Sequence, residues 1–332
     1  MIEAAATLAP FVAALGLRED GAILLDDRPV GRVTGTITDE ALAAALMPIV
    51  YEHAYARSYP APEPIDAGEH GGSGDVTALL EHANAGRSRI EHGWVFSGSE
   101  ANGSVLATRH NRTRRFAPGQ FLAVDGVLPL RKGGALVVQI PGGSATAQSG
   151  FYYAFGRAFR DVNDLGPVVR FYWNVVPGGA VGMMTALTAL LDRYAIPFEF
   201  KIVVRSADFA RRDNAVLYVA QDLFPAVSTV LMADYPAFAG FLDDTVPLFA
   251  RRLAPGLGFA EDPGHRESFG MARSRLVAQA LVAARRDAGF APALFADALT
   301  AAIATAGLDA EALWLNPGSH NLYHVPPAQA VH

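Results

Sequence analysis

Lysine and arginine together number 27 in this sequence, but lysine stands only at Lys132 and Lys201, which leaves 25 arginines. A surface cation tolerates either side chain. A position that needs a free amine does not, because arginine cannot lose its proton in a protein. Lys132 sits in the turn-like string RKGG and reads as a solvated cation. Lys201 sits in FEFKIVV, a strand pattern in which period two groups it with Glu199 and Val203, opposite Phe198, Phe200, Ile202 and Val204. The string VVRFYWNVV over 168–176 sorts in the same way, with Arg170, Tyr172 and Asn174 on one face and Phe171, Trp173 and Val175 on the other. Such a polar face is either open to solvent or the floor of a cleft, and strand patterning alone weighs these equally. Retention of a rare lysine favours the cleft. There, aromatic walls and neighbouring cations lower an amine's pKa and make it usable as a base or nucleophile.

Two further clusters carry charge in a usable arrangement. In RSADFARRDNAVLYV, Arg211 and Asp213 are two apart at the start of a strand pattern, so the carboxylate can orient the guanidinium; the bland alternative is a surface ion pair. In EDPGHRESFGMARSRL, Ser268 has the type and place of a helix N-cap, Gly270 leaves the backbone accessible, and Arg273 falls on an inward stripe with Val277 and Leu281. An arginine beside the free N–H groups of a helix start suits a phosphate or carboxylate. The nine histidines are scattered, and none is spaced as HxH or HExxH, so no metal centre is expected. His110 lies in a local basic run with Arg109, Arg112, Arg114 and Arg115, which is either a solvated loop or a rim that steers anions. No Walker loop, GxGxxG after a strand or GxSxG elbow is present.

The elements that must position these residues suggest an α+β fold. Residues 1–90 read as a helix-rich N-terminal region, with a hairpin-like interruption around 30–37 and a second helix from Asp39 to about Arg57. The string YPAPEPIDAGEHGGSGD, 59–75, is the best linker or exposed loop. Residues 91–150 form a β-rich section of short hairpin strands. Residues 151–332 form a C-terminal α+β catalytic domain. In it a strand over 168–176, a helix over 179–194 and a strand over 198–204 make a βαβ crossover in a mixed sheet with flanking helices. A further strand is expected over 215–220, a long helix from Ser268 to Ala288, and a helix or helix pair over 291–313.

Composition narrows the function classes. A net charge of −6 gives no general reason to expect nucleic acid or an anionic membrane as partner. With no cysteine, thiol catalysis, disulfides and thiolate zinc sites are excluded. The N-terminal stretch lacks a basic n-region and carries Glu3, Arg18, Glu19 and Asp20, so it reads as an amphipathic helix instead of a signal peptide. No apolar run reaches the roughly 18 residues of a membrane span. A cytoplasmic protein is expected, with homo-oligomerisation left open.

Several strings resemble one family in order: FYYAFG (151–156), VRFYWNVVPGGAV (169–181), IPFEFKIV (196–203), RRDNAVLYV (211–219), LAPGLGFAEDP (253–263) and ESFGMARSRLVA (267–278), with a weaker likeness in IVYEHAYAR (49–57). They are similar to the HopA-type effector family, named from a bacterial type III effector. The resemblance implies the activity of homologues in class V lanthipeptide and thioamitide gene clusters, which eliminate phosphate from phosphoserine or phosphothreonine in a ribosomally made peptide to give dehydroalanine or dehydrobutyrine. It also implies two partners, a phosphorylated precursor peptide and a separate aminoglycoside-phosphotransferase-like kinase, and no cofactor. Elimination needs a base for the α-proton, cations for the leaving phosphate and an acid for its bridging oxygen. Lys201 fits the base, and Arg170, Arg211 and Arg273 fit the clamp, with Asp213 and Ser268 beside them. Asn174 fits the peptide carbonyl, and Tyr172, His110 and then His265 are the acids in order of preference. A non-catalytic phosphopeptide- or leader-binding subunit stays open. A secreted effector acting on host signalling proteins is disfavoured, since no long polar secretion segment precedes the matched strings.

Overall fold

The computed structural model describes residues 3–60, 74–109, 112–158, 166–264, 267–286 and 289–327. In chain order the elements are α1 (Glu3–Ala14), β1 (Leu15–Leu17), β2 (Ala22–Leu25), β3 (Arg28–Arg32), α2 (Asp39–Val50), α3 (Thr77–Ala83), β4 (Arg89–Ser99), β5 (Val105–Arg109), β6 (Arg112–Phe116), β7 (Phe121–Ala123) and β8 (Ala135–Ile140). There follow β9 (Gly143–Ser144), β10 (Phe151–Phe155), β11 (Val168–Trp173), α4 (Ala180–Arg193), β12 (Glu199–Val203), β13 (Ala215–Ala220), α5 (Phe224–Ala233), α6 (Tyr235–Ala239), β14 (Arg251–Ala254) and β15 (Leu257–Glu261). The chain closes with α7 (Phe269–Ala283), β16 (Arg285–Arg286), β17 (Gly289–Phe290) and α8 (Pro292–Thr305). The fold is α+β, with three antiparallel sheets among the described residues.

The central sheet has the order β14-β15-β11-β13-β12-β10-β9. The expected crossover is there, β11 to β12 through α4, but the sheet is not mixed. β13 lies between the two strands and pairs antiparallel with each, so β11 and β12 run in the same direction without touching. Hydrophobic periodicity locates strands; it does not say which strand a later segment will slide between. The sheet's apolar face carries Phe171, Trp173, Phe200, Ile202 and Leu217, which share one core with Met183, Met184, Leu187, Leu190 and Leu191 of α4. Tyr194 caps the helix and is exposed.

The N-terminal hairpin turns earlier than expected. Asp26 and Asp27 both take positive φ, 49° and 60°, the conformation a two-residue hairpin turn requires, so β2 and β3 meet there. α1 and α2 bury Leu8, Phe11, Leu42 and Leu46 against Val277 and Leu281 of α7 and Phe295 and Leu299 of α8 in a second core. The helix expected to run on from α2 changes pitch instead. Tyr51–Tyr55 form one π-helical turn, in which the Ala56 N–H donates to Tyr51 O at 2.8 Å. Residues 89–140 supply the β-rich section, a sheet of order β6-β5-β4-β8-β7 around Trp94, Phe116 and Leu136. Most of the expected linker, 61–73, lies outside the described residues. Among those described, no helix is long and apolar enough to cross a membrane, and no group of three acidic or histidine side chains is placed to hold a metal ion.

Candidate functional site

Register builds the site directly from the strands. Tyr172 of β11 pairs with Val216 of β13, Val216 with Lys201 of β12, and Lys201 with Tyr153 of β10. One pleat along the same face, Arg170 pairs with Tyr218, and Tyr218 with Glu199. Neighbouring strands lie about 4.8 Å apart, so Tyr172 and Lys201 rise from backbones roughly 10 Å apart with a small valine between them. Above this floor stand the π-turn tyrosines and the first turn of α7. Together they enclose a cavity of about 310 Å³, whose lining includes Lys201, Arg170, Tyr172, Arg211, Asp213 and Ser268. Those six were singled out by sequence.

Lys201 is half-buried, with Nζ 4.6 Å from the centre of the Phe151 ring and 5.7 Å from that of Tyr218. Burial first, and then the positive charge of Arg170, lowers its pKa from the ordinary 10.5 to about 8, against the opposing pull of Asp213. Arg170 is held from behind by Asp262, with Nε and Nη2 at 2.8 and 2.7 Å from the same carboxylate oxygen, and stacks over Tyr218 at 5.1 Å. Arg211 forms a forked pair with Asp213, 3.0 and 3.1 Å, and donates to the Tyr51 hydroxyl at 2.7 Å; that hydroxyl in turn donates to Asp213 at 2.9 Å. Both guanidiniums are therefore aimed by carboxylates, as a planar anion clamp requires.

The hydroxyls of Tyr172 and Tyr55 make no hydrogen bond of ordinary geometry, although the two residues are 2% and 1% exposed; Tyr172 lies close enough to Tyr55 and to Arg170 for each to act on its ionisation. Burial raises both pKa values, so each is a neutral O–H donor at neutral pH. A ligand oxygen in the cavity would give these hydroxyls an acceptor of full strength. Tyr51 and Tyr55 stack with ring centres 5.4 Å apart, and the start of α7 lies against them. A Cβ on Gly270 would come within 2.3 Å of Tyr55, so only glycine allows this approach. Ser268 caps the helix, its Oγ accepting from the Met271 N–H at 3.2 Å. The first turn's remaining N–H groups add positive potential beside the cavity.

Two expected site residues are placed elsewhere. Arg273 is buried on the inward stripe of α7, but Nε donates to Leu313 O at 2.7 Å and Nη2 to Leu315 O at 2.6 Å, and the guanidinium stacks over Phe269. It ties α7 to the C-terminal segment and faces a different groove. Asn174 follows β11, and its amide donates to Thr245 Oγ1 at 2.8 Å and Thr245 O at 3.1 Å, while its carbonyl accepts from Asn214 at 3.3 Å. Its side chain braces a loop. His110 and His265 lie outside the described residues.

Sequence reasoning did not single out Gln148, Tyr51, Tyr55, Tyr218 or Asp262. Tyr218 alternates with Val216 on the same strand face, a signal period two offered. Tyr51 and Tyr55 lie in the weakly resembling string IVYEHAYAR. Gln148 lies in an aperiodic loop and gave no signal.

The model of the HopA1 effector protein family matches residues 143–315, a range that includes every lining residue named above except Tyr51 and Tyr55. Among solved structures, the effector protein from Pseudomonas syringae pv. tomato strain DC3000 is similar at 22% identity and TM-score 0.37, over 50% of this chain and 62% of that one. The effector protein from Pseudomonas syringae pv. syringae strain 61 is similar at 20% identity and TM-score 0.36, over 50% of this chain and 62% of that one. No curated protein gives a significant match.

Proposed function

The chain belongs to the HopA1 effector protein family, and from that premise we propose that it is a lyase that β-eliminates phosphate from phosphoserine or phosphothreonine in a peptide. The observation that carries the reading is the convergence of a lysine with lowered pKa, two carboxylate-aimed guanidiniums and two buried tyrosine hydroxyls in one cavity. Arg170 and Arg211 bind the phosphate oxygens. Neutral Lys201 Nζ takes the proton from Cα, the electron pair of that C–H bond becomes the Cα=Cβ double bond, and the Cβ–O bond breaks. Phosphate leaves with the bridging oxygen, which Tyr172 protonates. Solvent then moves the proton from the lysine ammonium back to the phenolate. Tyr55 donates to the peptide carbonyl on which the enolate charge develops.

The chemistry implies its supplier. A phosphorylated side chain must come from a kinase, and a ribosomally made precursor peptide modified by a separate kinase is the substrate proposed, as in the lanthipeptide and thioamitide systems. The substitution Lys201→Ala separates a lyase from a binding subunit. The expected result is retained phosphopeptide binding with dehydration abolished. Unchanged dehydration in a reconstituted system would sink the base assignment.

A further inference from the structure

Gln148 belongs to the loop between β9 and β10 and lines the cavity. Its side-chain oxygen accepts two hydrogen bonds, from Lys201 Nζ at 3.2 Å and from the Tyr153 hydroxyl at 2.7 Å. Tyr153 stands directly across from Lys201 in the β10–β12 pairing, so phenol and amine rise side by side and converge on one acceptor. An exposed glutamine ordinarily samples many rotamers. Two donors on a single oxygen hold this one in place. On the other side of the amine stands the Phe151 ring, which offers no competing acceptor of comparable strength.

A neutral amine has two N–H bonds and one lone pair, and proton abstraction needs that lone pair aimed at the α-hydrogen. Rotation about Cε–Nζ would otherwise spread it over three staggered directions. We propose that Gln148 is a positioning residue: held by Tyr153, it takes one N–H of Lys201 and so turns the lone pair into the cavity toward the substrate's Cα. The role in catalysis rests on the lyase reading; the hold of Gln148 on the amine does not.

The chain has only two lysines, so both questions are accessible in the intact protein. Competitive labelling with acetic anhydride across pH, read by peptide mass spectrometry, gives the titration of Lys201, with exposed Lys132 as internal reference. In Gln148→Glu the carboxylate should raise that titration by about one unit or more and move the rising limb of kcat/KM with it. In Gln148→Leu the titration should fall, because an acceptor that favoured the ammonium is gone. That variant then holds more free amine at neutral pH, yet kcat should drop on the order of 10²-fold with KM nearly unchanged. Less rate from more free base is the mark of lost aim. Gln148→Glu, which keeps the acceptor, should recover kcat at high pH. Identical Lys201 titrations in the wild type and both variants, or wild-type kcat in Gln148→Leu, would overturn the proposal. Shifted titrations in a protein that eliminates phosphate from no phosphopeptide would refute the lyase reading while supporting the hold on the amine.

Discussion

Replacing Lys201 by arginine keeps the charge and nearly the length of the side chain but forbids its deprotonation. The site lowers the amine's pKa from 10.5 to about 8. At pH 8 roughly half of the lysine is then free base, against about 0.3% at the ordinary value, so burial and Arg170 enrich the reactive form by on the order of 10²-fold. At pH 7 the free fraction is about a tenth. In the wild type, kcat/KM should therefore climb about tenfold between roughly pH 7 and 9, on a limb centred near 8, above the phosphate's own ionisation near 6. A bound phosphate dianion favours the ammonium, so the limb in kcat should lie higher than that in kcat/KM. In Lys201→Arg the limb should vanish and kcat/KM fall by about 10²–10⁴-fold, the usual worth of a general base. Initial rates from dehydro-residue absorbance would measure both, with phosphopeptide affinity as the control. A Lys201→Arg protein with more than about a tenth of wild-type kcat/KM, or a wild-type profile flat across that range, would refute the reasoning.

Other perturbations separate chemistry from scaffolding. Tyr172→Phe removes a buried hydroxyl that makes no hydrogen bond of ordinary geometry; melting temperature should change little while elimination slows about 10²-fold. Arg211→Lys keeps a cation but loses the fork on Asp213, and calorimetry should show phosphopeptide binding weakened about tenfold. Arg273→Met strips partners from the carbonyls of Leu313 and Leu315. It should destabilise the protein by at least about 2 kcal/mol in urea unfolding and leave kcat at low temperature unchanged.

The polar stripe was legible because two simple signals coincided. Strand alternation put Arg170 and Tyr172 on one face and Lys201 on another strand's polar face, and the scarcity of lysine marked Lys201. What sequence periodicity could not carry was the order of strands: β13 brings Val216 and Tyr218 between β11 and β12 and sets the spacing of the cavity floor. Arg273 shows the limit of stripe reasoning, since burial was evident but the carbonyls that occupy it come 40 and 42 residues later. Asn174 has the right parity, but it lies just beyond the strand, where the loop at Asp243–Thr245 takes up its amide. Tyr51 and Tyr55 reach the cavity because the helix after α2 loosens into a π-turn, a change of pitch with no simple pattern. Gln148, in a loop of small residues, acquires its place only through two donors on strands that follow it.

The lyase activity is tested most directly by the mass of the product when purified protein meets a synthetic phosphoserine or phosphothreonine peptide. Elimination removes one whole phosphoric acid and leaves a dehydro residue. A peptide returned to serine or threonine would show hydrolysis in place of elimination, and a peptide bound but unchanged would show a binding protein; either result would contradict the lyase reading.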